Sequence, residues 1–313
     1  SSAFAIIVKY DIPKLIEQGK NNSLELAKEL EFDGQYFYRI LRFLSREGLF
    51  IEMEEPYCFT NSPLSKLLVN DNGAINHVKM ALNPKIMESW LHLEDSIKSG
   101  SSKAFQSIGY PNLWAFSSQN DDFKTCFIKA MSFQTQSNHS ILSEFSNQMG
   151  ESKVVCDIGG SSGKLLSDLI PLYPSIEKAI NFDLPMAINS EFSQGFIKSL
   201  APEIKSKLEY KPGDFFKAET IPENADLYIM KRVIHDWSNE KSTVIINNVY
   251  SKMKPNTYLV LLEGILPPKN QPDFHAIFDI LNLHVIGGQE RTTEEWEQLI
   301  SATNFKSIES IES

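Results

Sequence analysis

"KVVCDIGGSSGKL", residues 153–165, decides the fold. The run "KVVCDI" is short, apolar and of strand type, and it stops at a glycine-rich turn, Gly159-Gly160-Ser161-Ser162-Gly163. A helical pattern begins at Gly163. Glycines let a ligand approach the backbone closely, and the helix start offers free N–H groups. The next strand, "KAINFD", ends on Asp183, 20 residues after Gly163 (183 − 163), where a carboxylate can take both hydroxyls of a ribose. That spacing also suits NAD. However, the loop is not G-x-G-x-x-G, and Asp157 in the strand end is unhelpful beside a pyrophosphate. It is useful near the cationic end of a ligand.

Downstream, strands and helices alternate. A helix follows Pro185, then come strands "KLEYKP" and "ADLYIM", a helix over 239–253 and strand "TYLVLLEG". Helical stretches over 273–286 and 293–303 and a last strand, "FKSIESI", complete the chain. This alternation predicts an α/β domain with a doubly wound parallel sheet. Upstream, the pattern is mostly helical. Asn21-Asn22-Ser23 caps "LELAKEL", and Asp33-Gly34 leads into a helix with Phe37, Ile40, Leu41 and Leu44 on one face. Gly48 ends that helix, and "LFIEMEEPYCFT" alternates like a small hairpin broken at Glu55-Pro56. Helix, turn, helix, hairpin is a winged-helix pattern, and helices with loops near Ser99–Ser102 and Tyr110–Pro111 continue to about residue 148. The expected domains are therefore 1–148 and 149–313.

The 313 residues are 42% hydrophobic and 22% charged, an ordinary globular composition. The 40 acidic and 30 basic residues leave a net charge of −10, a poor basis for general binding of nucleic acid. Three widely spaced cysteines, Cys58, Cys126 and Cys156, match no metal-ligand pattern and suit a reducing compartment. No apolar run approaches the ~18–20 residues of a membrane span. A cytoplasmic protein is expected. The chain starts at Ser1 rather than Met.

Two further stretches carry chemistry. In "PGDFF", Asp214 follows the third strand, where it can accept from an adenine amino group, and Phe215 can cover the ring. In "MKRVIHDWSNEK", residues 230–241, Lys231 reaches the carboxyl edge of the sheet, where ligands bind in such folds, and His235 lies one turn on. Glu263, ending the fifth strand, and Glu290, in "GGQERT", occupy comparable edge positions. A lone histidine is most often a satisfied core or surface residue. One flanked by carboxylates has the arrangement of a general base, with an acid fixing the tautomer and stabilising the imidazolium.

With these stretches in hand, the chain resembles the plant-type small-molecule O-methyltransferases, the family of caffeic acid and N-acetylserotonin methyltransferases. "DIGGSSG", "INFDLP", "GDFF", "HDWSNE" and "GGQERT" match its motifs in order and approximate spacing, and "LNPKIMESWLHLEDSIKSG" matches its substrate-side helix. The resemblance covers nearly the whole chain. It implies S-adenosylmethionine (SAM) bound by a Rossmann-like C-terminal domain, a winged-helix domain used for homodimerisation and not DNA, and a histidine base without metal. Gly160 would line the methionyl end of SAM, Asp183 the ribose, Asp214 and Phe215 the adenine, and Lys231 the carboxylate end. His235 would be the base, flanked by Glu263 and Glu290. Asn83, Trp90 and Met131 match positions lining the acceptor pocket, and Asn282 lies near a ring-clamping methionine of lignin-pathway members.

The chain departs from the family at Ser161, where a third glycine is usual, and at Arg232, which replaces an aromatic. Past "SIESIES" the family usually adds one more edge strand, and its first dimerisation helices are longer, so trimmed ends are expected. The implied reaction is methylation of a hydroxyl on a small, phenolic or polyketide-like molecule by in-line displacement. A phenol titrates near ~10 and a histidine near ~6.5, so proton removal must run with methyl attack. Three alternatives remain at this stage. One is an NAD-dependent dehydrogenase. Another is a winged-helix regulator using Arg39, Arg42 and Arg46. The third is a SAM-binding relative with N-methyltransferase or hydroxylase activity.

Overall fold

The computed structural model of the chain describes residues 2–70, 73–136, 146–271, 273 and 275–305. Two compact units emerge, Ser1–Glu88 with Ser117–Gln134, and Ser89–Phe116 with Thr135–Ser313. The division differs from the expected break after residue 148. The segment 89–116 packs with the second unit, although its helical texture is that of the first.

In the first unit, the helices Ser2–Lys9, Ile12–Glu17, Ser23–Glu29 and Gly34–Arg46 lead to an antiparallel hairpin of β1 (Phe50–Glu52) and β2 (Phe59–Asn61). The Asn22 side chain accepts from Leu24 N and Glu25 N, and Asp33 accepts from Tyr36 N, so both helices of the expected winged-helix motif start where polar caps satisfy their first amides. Phe37, Leu41 and Leu44 are buried with Ile7, Ile12, Leu26, Phe50 and Phe59, while Ile40 is only partly covered. Arg39 and Arg42, the candidate phosphate contacts, lie over the rings of Tyr36 and Tyr38, with guanidinium-to-centroid distances of 5.8 and 5.2 Å.

The second unit holds a five-stranded sheet. Its strands are β3 (Val154–Ile158), β4 (Lys178–Asp183), β5 (Leu208–Pro212), β6 (Leu227–Lys231) and β7 (Tyr258–Leu262), in the order β5-β4-β3-β6-β7 with every pairing parallel. Alternate residues of β3 face two different cores. Cys156 and Ile158 join Ile180, Phe182, Tyr228 and Met230, and Val155 joins Ala179, Leu227, Ile229 and Val260. Burial on both faces is what a helix-covered parallel sheet demands, and it explains why these strands read as apolar runs. The strand order reverses between β3 and β6, which creates the crevice where such sheets bind ligands. The Gly159–Gly163 turn and Lys231 both reach that crevice. The expected strand at 305–311 lies, past Phe305, outside the described residues.

Past β7 a connection appears that sequence patterns did not suggest. Two two-residue strands, β8 (Ile265–Leu266) and β9 (Arg291–Thr292), pair in parallel. They fasten the "GGQERT" segment to the stretch just past β7. Thr292 then caps the helix Thr293–Ser301 in a reciprocal box with Glu295. Arg291 has no exposed surface. It donates to the carbonyls of Trp237 (2.8 Å) and Ile234 (3.3 Å), to Asn239 Oδ1 (3.0 Å) and to Ser242 Oγ (3.3 Å). Gln289 N donates to His235 O at 2.9 Å, and a Cβ on Gly288 would stand 2.2 Å from that same carbonyl. The 234–242 turn is thus cast against 288–291 through backbone atoms that only this fit satisfies.

Replacing Arg291 by Met is expected to lower the unfolding free energy by about 2–3 kcal/mol, because buried carbonyls lose a charged donor. Urea unfolding measures this. An unchanged midpoint and slope would show that the latch is dispensable.

Candidate active site

The His235 loop is built from β6 outward. Arg232 turns the chain out of the strand with a left-handed φ of 54°. Glu263, just past β7, catches the backbone that follows, its Oε1 accepting from Val233 N (2.9 Å) and Ile234 N (2.7 Å). A turn of 3₁₀ helix, Ile234–Asp236, then presents His235. Glu263 was expected to flank the imidazole directly. Instead its carboxylate is bonded to main chain, and it acts on the imidazole through charge.

Glu290 makes the direct contact. Its Oε1 lies 2.8 Å from His235 Nδ1 and 3.1 Å from Asn282 Nδ2. Both donors converge on one oxygen, so the neutral imidazole carries its proton on Nδ1 and leaves Nε2 as the acceptor. Asp236 Oδ1 stands 3.2 Å from Nε2. Burial works against the imidazolium, but Asp236, the Glu290 hydrogen bond and Glu263 outweigh it, and the pKa of His235 lies above the ordinary histidine value. Burial also raises Glu290, yet His235 and Arg232 hold its carboxyl below the usual range. Asp236 is pushed up to about 6, chiefly by burial and against the pull of His235.

Sequence reasoning missed Asp236 and Arg232 as parts of this cluster. Asp236 was hidden by adjacency, since neighbours in sequence rarely signal a bond. The sequence marked Arg232 only as a departure. The structure places its guanidinium in a two-point pair with Glu290, at 3.2 Å (Nη1–Oε2) and 3.0 Å (Nη2–Oε1). Asn282, expected in the acceptor pocket, is buried with its amide on Glu290.

On the cofactor side, Gly160 is required sterically. A Cβ there would lie 2.1 Å from Asn181 Oδ1 and 2.5 Å from Asp157 Oδ2. Asp157 is buried and its Oδ1 makes no hydrogen bond. Burial pushes its pKa up to about 7, with Lys231 opposing, and burial lowers Lys231 to about 8, with Asp157 opposing. Asp183 accepts from Ser161 N (2.8 Å) and Leu184 N (2.6 Å), one bond on each oxygen, which leaves lone pairs on both. Ser161 itself has φ 51°, a left-handed conformation that glycine adopts freely, which accounts for the glycine usual at this position. Asp214 Oδ1 accepts from Phe216 N at 3.0 Å. Phe215 packs edge-on against Trp237, with 5.9 Å between centroids, and Phe216 does so at 4.9 Å. Trp237 therefore ties the "GDFF" turn to the His235 loop. An unpaired buried carboxylate, a lysine, a carboxylate with free lone pairs and an aromatic face suit a ligand with ammonium, carboxylate, diol and adenine groups. The residues fit SAM.

Of the expected acceptor-side residues, Trp90 lies in the second unit and stacks on His284, with ring centroids 4.5 Å apart. Asn83 and Met131 belong to the first unit. Asn83 Oδ1 accepts from Lys85 N at 3.0 Å, and Met131 is half-buried on the helix Asp121–Gln136. Among the described residues, no group of three or more His, Cys, Asp or Glu is arranged to hold a metal, and no helix is long and apolar enough to cross a membrane.

Comparison with known proteins bears on this geometry. Residues 90–306 match the model of an O-methyltransferase domain family. Des-methyl DIF-1 methyltransferase A of Dictyostelium discoideum is 30% identical over 98% of this chain and 85% of its own length. The crystal structure of human N-acetylserotonin methyltransferase in complex with SAM shares the fold, at a TM-score of 0.80 and 22% identity, over 97% of this chain and 88% of that one. So does NcsB1, an O-methyltransferase from neocarzinostatin biosynthesis crystallised with S-adenosyl-L-homocysteine (SAH) and 1,4-dihydroxy-2-naphthoic acid, at a TM-score of 0.78 and 19% identity, over 96% of this chain and 89% of that one. None of these comparisons favours a dehydrogenase or a DNA-binding regulator. The match over most of its length shows that the chain belongs to the plant-type O-methyltransferase family, whose members use SAM to methylate small molecules.

Proposed function

We propose that this chain is an active, cytoplasmic O-methyltransferase that methylates the hydroxyl of a small phenolic or polyketide-like molecule, with His235 as general base. The observation that carries the reading is the Glu290–His235 contact of 2.8 Å at the carboxyl edge of a SAM-family sheet. The dihydroxynaphthoic acid crystallised with NcsB1 supports an aromatic acceptor.

When bound, SAM supplies a methyl group on a positively charged sulfur. Gly160, Asp157 and Lys231 would receive its amino-acid end, Asp183 the ribose, and Asp214 with Phe215 the adenine. His235 Nε2 takes the proton of the acceptor hydroxyl, and Asp236 beside that nitrogen favours the protonated ring. Glu290 fixes the ring from Nδ1 and balances the positive charge that the imidazole gains. Glu263 holds the amides of Val233 and Ile234, so the ring is delivered from a fixed backbone. Trp90, stacked on His284 within the unit that carries His235, remains the candidate lining of the acceptor side. We further propose a homodimer formed through the winged-helix region, where Tyr36, Phe43 and Ile51 are exposed.

His235→Gln is expected to keep the fold and SAH affinity and to lose methyl transfer by roughly 10²–10⁴-fold, measured with a panel of phenols. Retained activity overturns the base assignment. Only the neutral imidazole accepts a proton, so activity rises with pH through the raised pKa of His235. Glu290→Gln removes a group favouring the imidazolium, lowers that pKa and moves the acid limb to lower pH. A limb moving upward contradicts the electrostatics.

Asp183→Ala should weaken SAH binding by about 10–100-fold in calorimetry, for a lost charge-assisted bond of roughly 1.5–3 kcal/mol. Undiminished affinity would remove Asp183 from the cofactor site. Light scattering at micromolar concentration should give twice the chain mass, and a stable monomer would refute the dimer.

A further inference from the structure

The chain could turn out of β6 at glycine or asparagine with less strain than at Arg232. Its φ of 54° is unusual for a long side chain. That turn aims the guanidinium back at Glu290, where both nitrogens engage both oxygens, at 3.0 and 3.2 Å. The pair is well enclosed, with 16% of the arginine side chain exposed and none of the glutamate. Bare backbone at Gly264 makes room for it, since a Cβ there would stand 2.8 Å from Glu290 Oε2 and 2.9 Å from Arg232 Nη1. The Phe278 ring covers the guanidinium, 5.8 Å from its centroid.

Resting on the reading of His235 as base, we propose that Arg232 is a positioning residue. It grips Glu290 at two points, holds that carboxylate against His235, and draws off part of its charge, so the imidazole stays ready to accept a proton. An aromatic side chain at 232 could not do this.

The charged groups around the imidazole set the sign. Asp236 faces Nε2, Glu290 faces Nδ1, and Glu263 acts from the end of β7. All three favour the protonated ring, and Arg232 is the cation that opposes them. Around Glu290, Asp279 Oδ1 accepts its backbone N–H, Arg291 adjoins it, and His275, bonded to Asp273, borders the pair across Gly264. His235 and Glu290 are in contact at 2.8 Å, so a change at one alters the proton affinity of the other. Removing the arginine raises the pair's affinity for its next proton, whichever member carries it.

The test is the histidine titration itself, followed by NMR on protein carrying ¹³C-labelled histidine, with the His235 signal assigned by its loss in His235→Gln. In Arg232→Gln the titration is expected to move up by about one pH unit, a tenfold change in proton affinity. SAH affinity should stay at the wild-type value. In a Glu290→Gln background the same substitution should move it less than half as far. The acid limb of methyl transfer should follow the NMR titration, with activity recovering at alkaline pH. A titration that stays put or moves down overturns the proposal, as does an equal shift in both backgrounds. If Arg232→Gln does not fold, Arg232→Lys decides. It keeps the charge without the fork, so the His235 titration should stay within a few tenths of wild type while turnover falls, and a rise of a full unit overturns the proposal. The NMR readout needs no turnover, so a chain inactive in every phenol assay fails the functional reading without touching this one.

Discussion

The buried guanidinium of Arg291 fixes the geometry around His235. Its bonds run to two carbonyls, an amide oxygen and a hydroxyl on the turn that carries His235, and to the carbonyl of Gln289. An arginine taken out of water demands such a set of acceptors, and a turn with two buried carbonyls demands such a donor. Neither half is tolerable alone. The preceding residue, Glu290, is thereby set to contact the imidazole, and the Gly288–Gln289 backbone closes on the His235 carbonyl. The motif "GGQERT" therefore works as a mould for "HDW", with its acid aimed at the imidazole.

Much of this was legible in the sequence. The strand–turn–helix of residues 153–165 and the apolar runs that follow gave away a parallel sheet, because burial on both faces leaves continuous hydrophobic stretches. Capping residues marked the helix starts of the winged-helix motif. The pairing of Ile265–Leu266 with Arg291–Thr292 was not legible, since two residues carry no periodicity. Nor was the grouping of residues 89–116 with the sheet-bearing unit. The visible break near Ser152 tracks a change of secondary structure, whereas a compact unit is a matter of packing.

In the candidate site, residue types at the sheet edge were readable and their partners were not. His235 and Glu290 meet as expected, but Glu263 turns to the main chain and Asn282 to Glu290. Both outcomes follow from local shortages of partners that no one-dimensional spacing reveals. The amides of Val233 and Ile234, left open by the left-handed turn at Arg232, need an acceptor, and Glu263 is the carboxylate within reach. Asp157 likewise keeps a buried oxygen without a hydrogen bond, and burial is what raises its pKa.

The β8–β9 clasp has a consequence in time. Among the described residues the strands of the main sheet end at Leu262, while Gly288 to Arg291, which close on the His235 turn, follow later in the chain. A chain growing from its N-terminus can lay down these five parallel strands, and the Glu263 contact just past them, before that second support arrives. Closing it adds a further loop-closure cost to that of the sheet. Seating of the His235 ring is therefore a late event in the birth of this protein, separate from the laying down of its sheet. A nascent chain halted between the two stages would be a folded sheet with an unseated imidazole.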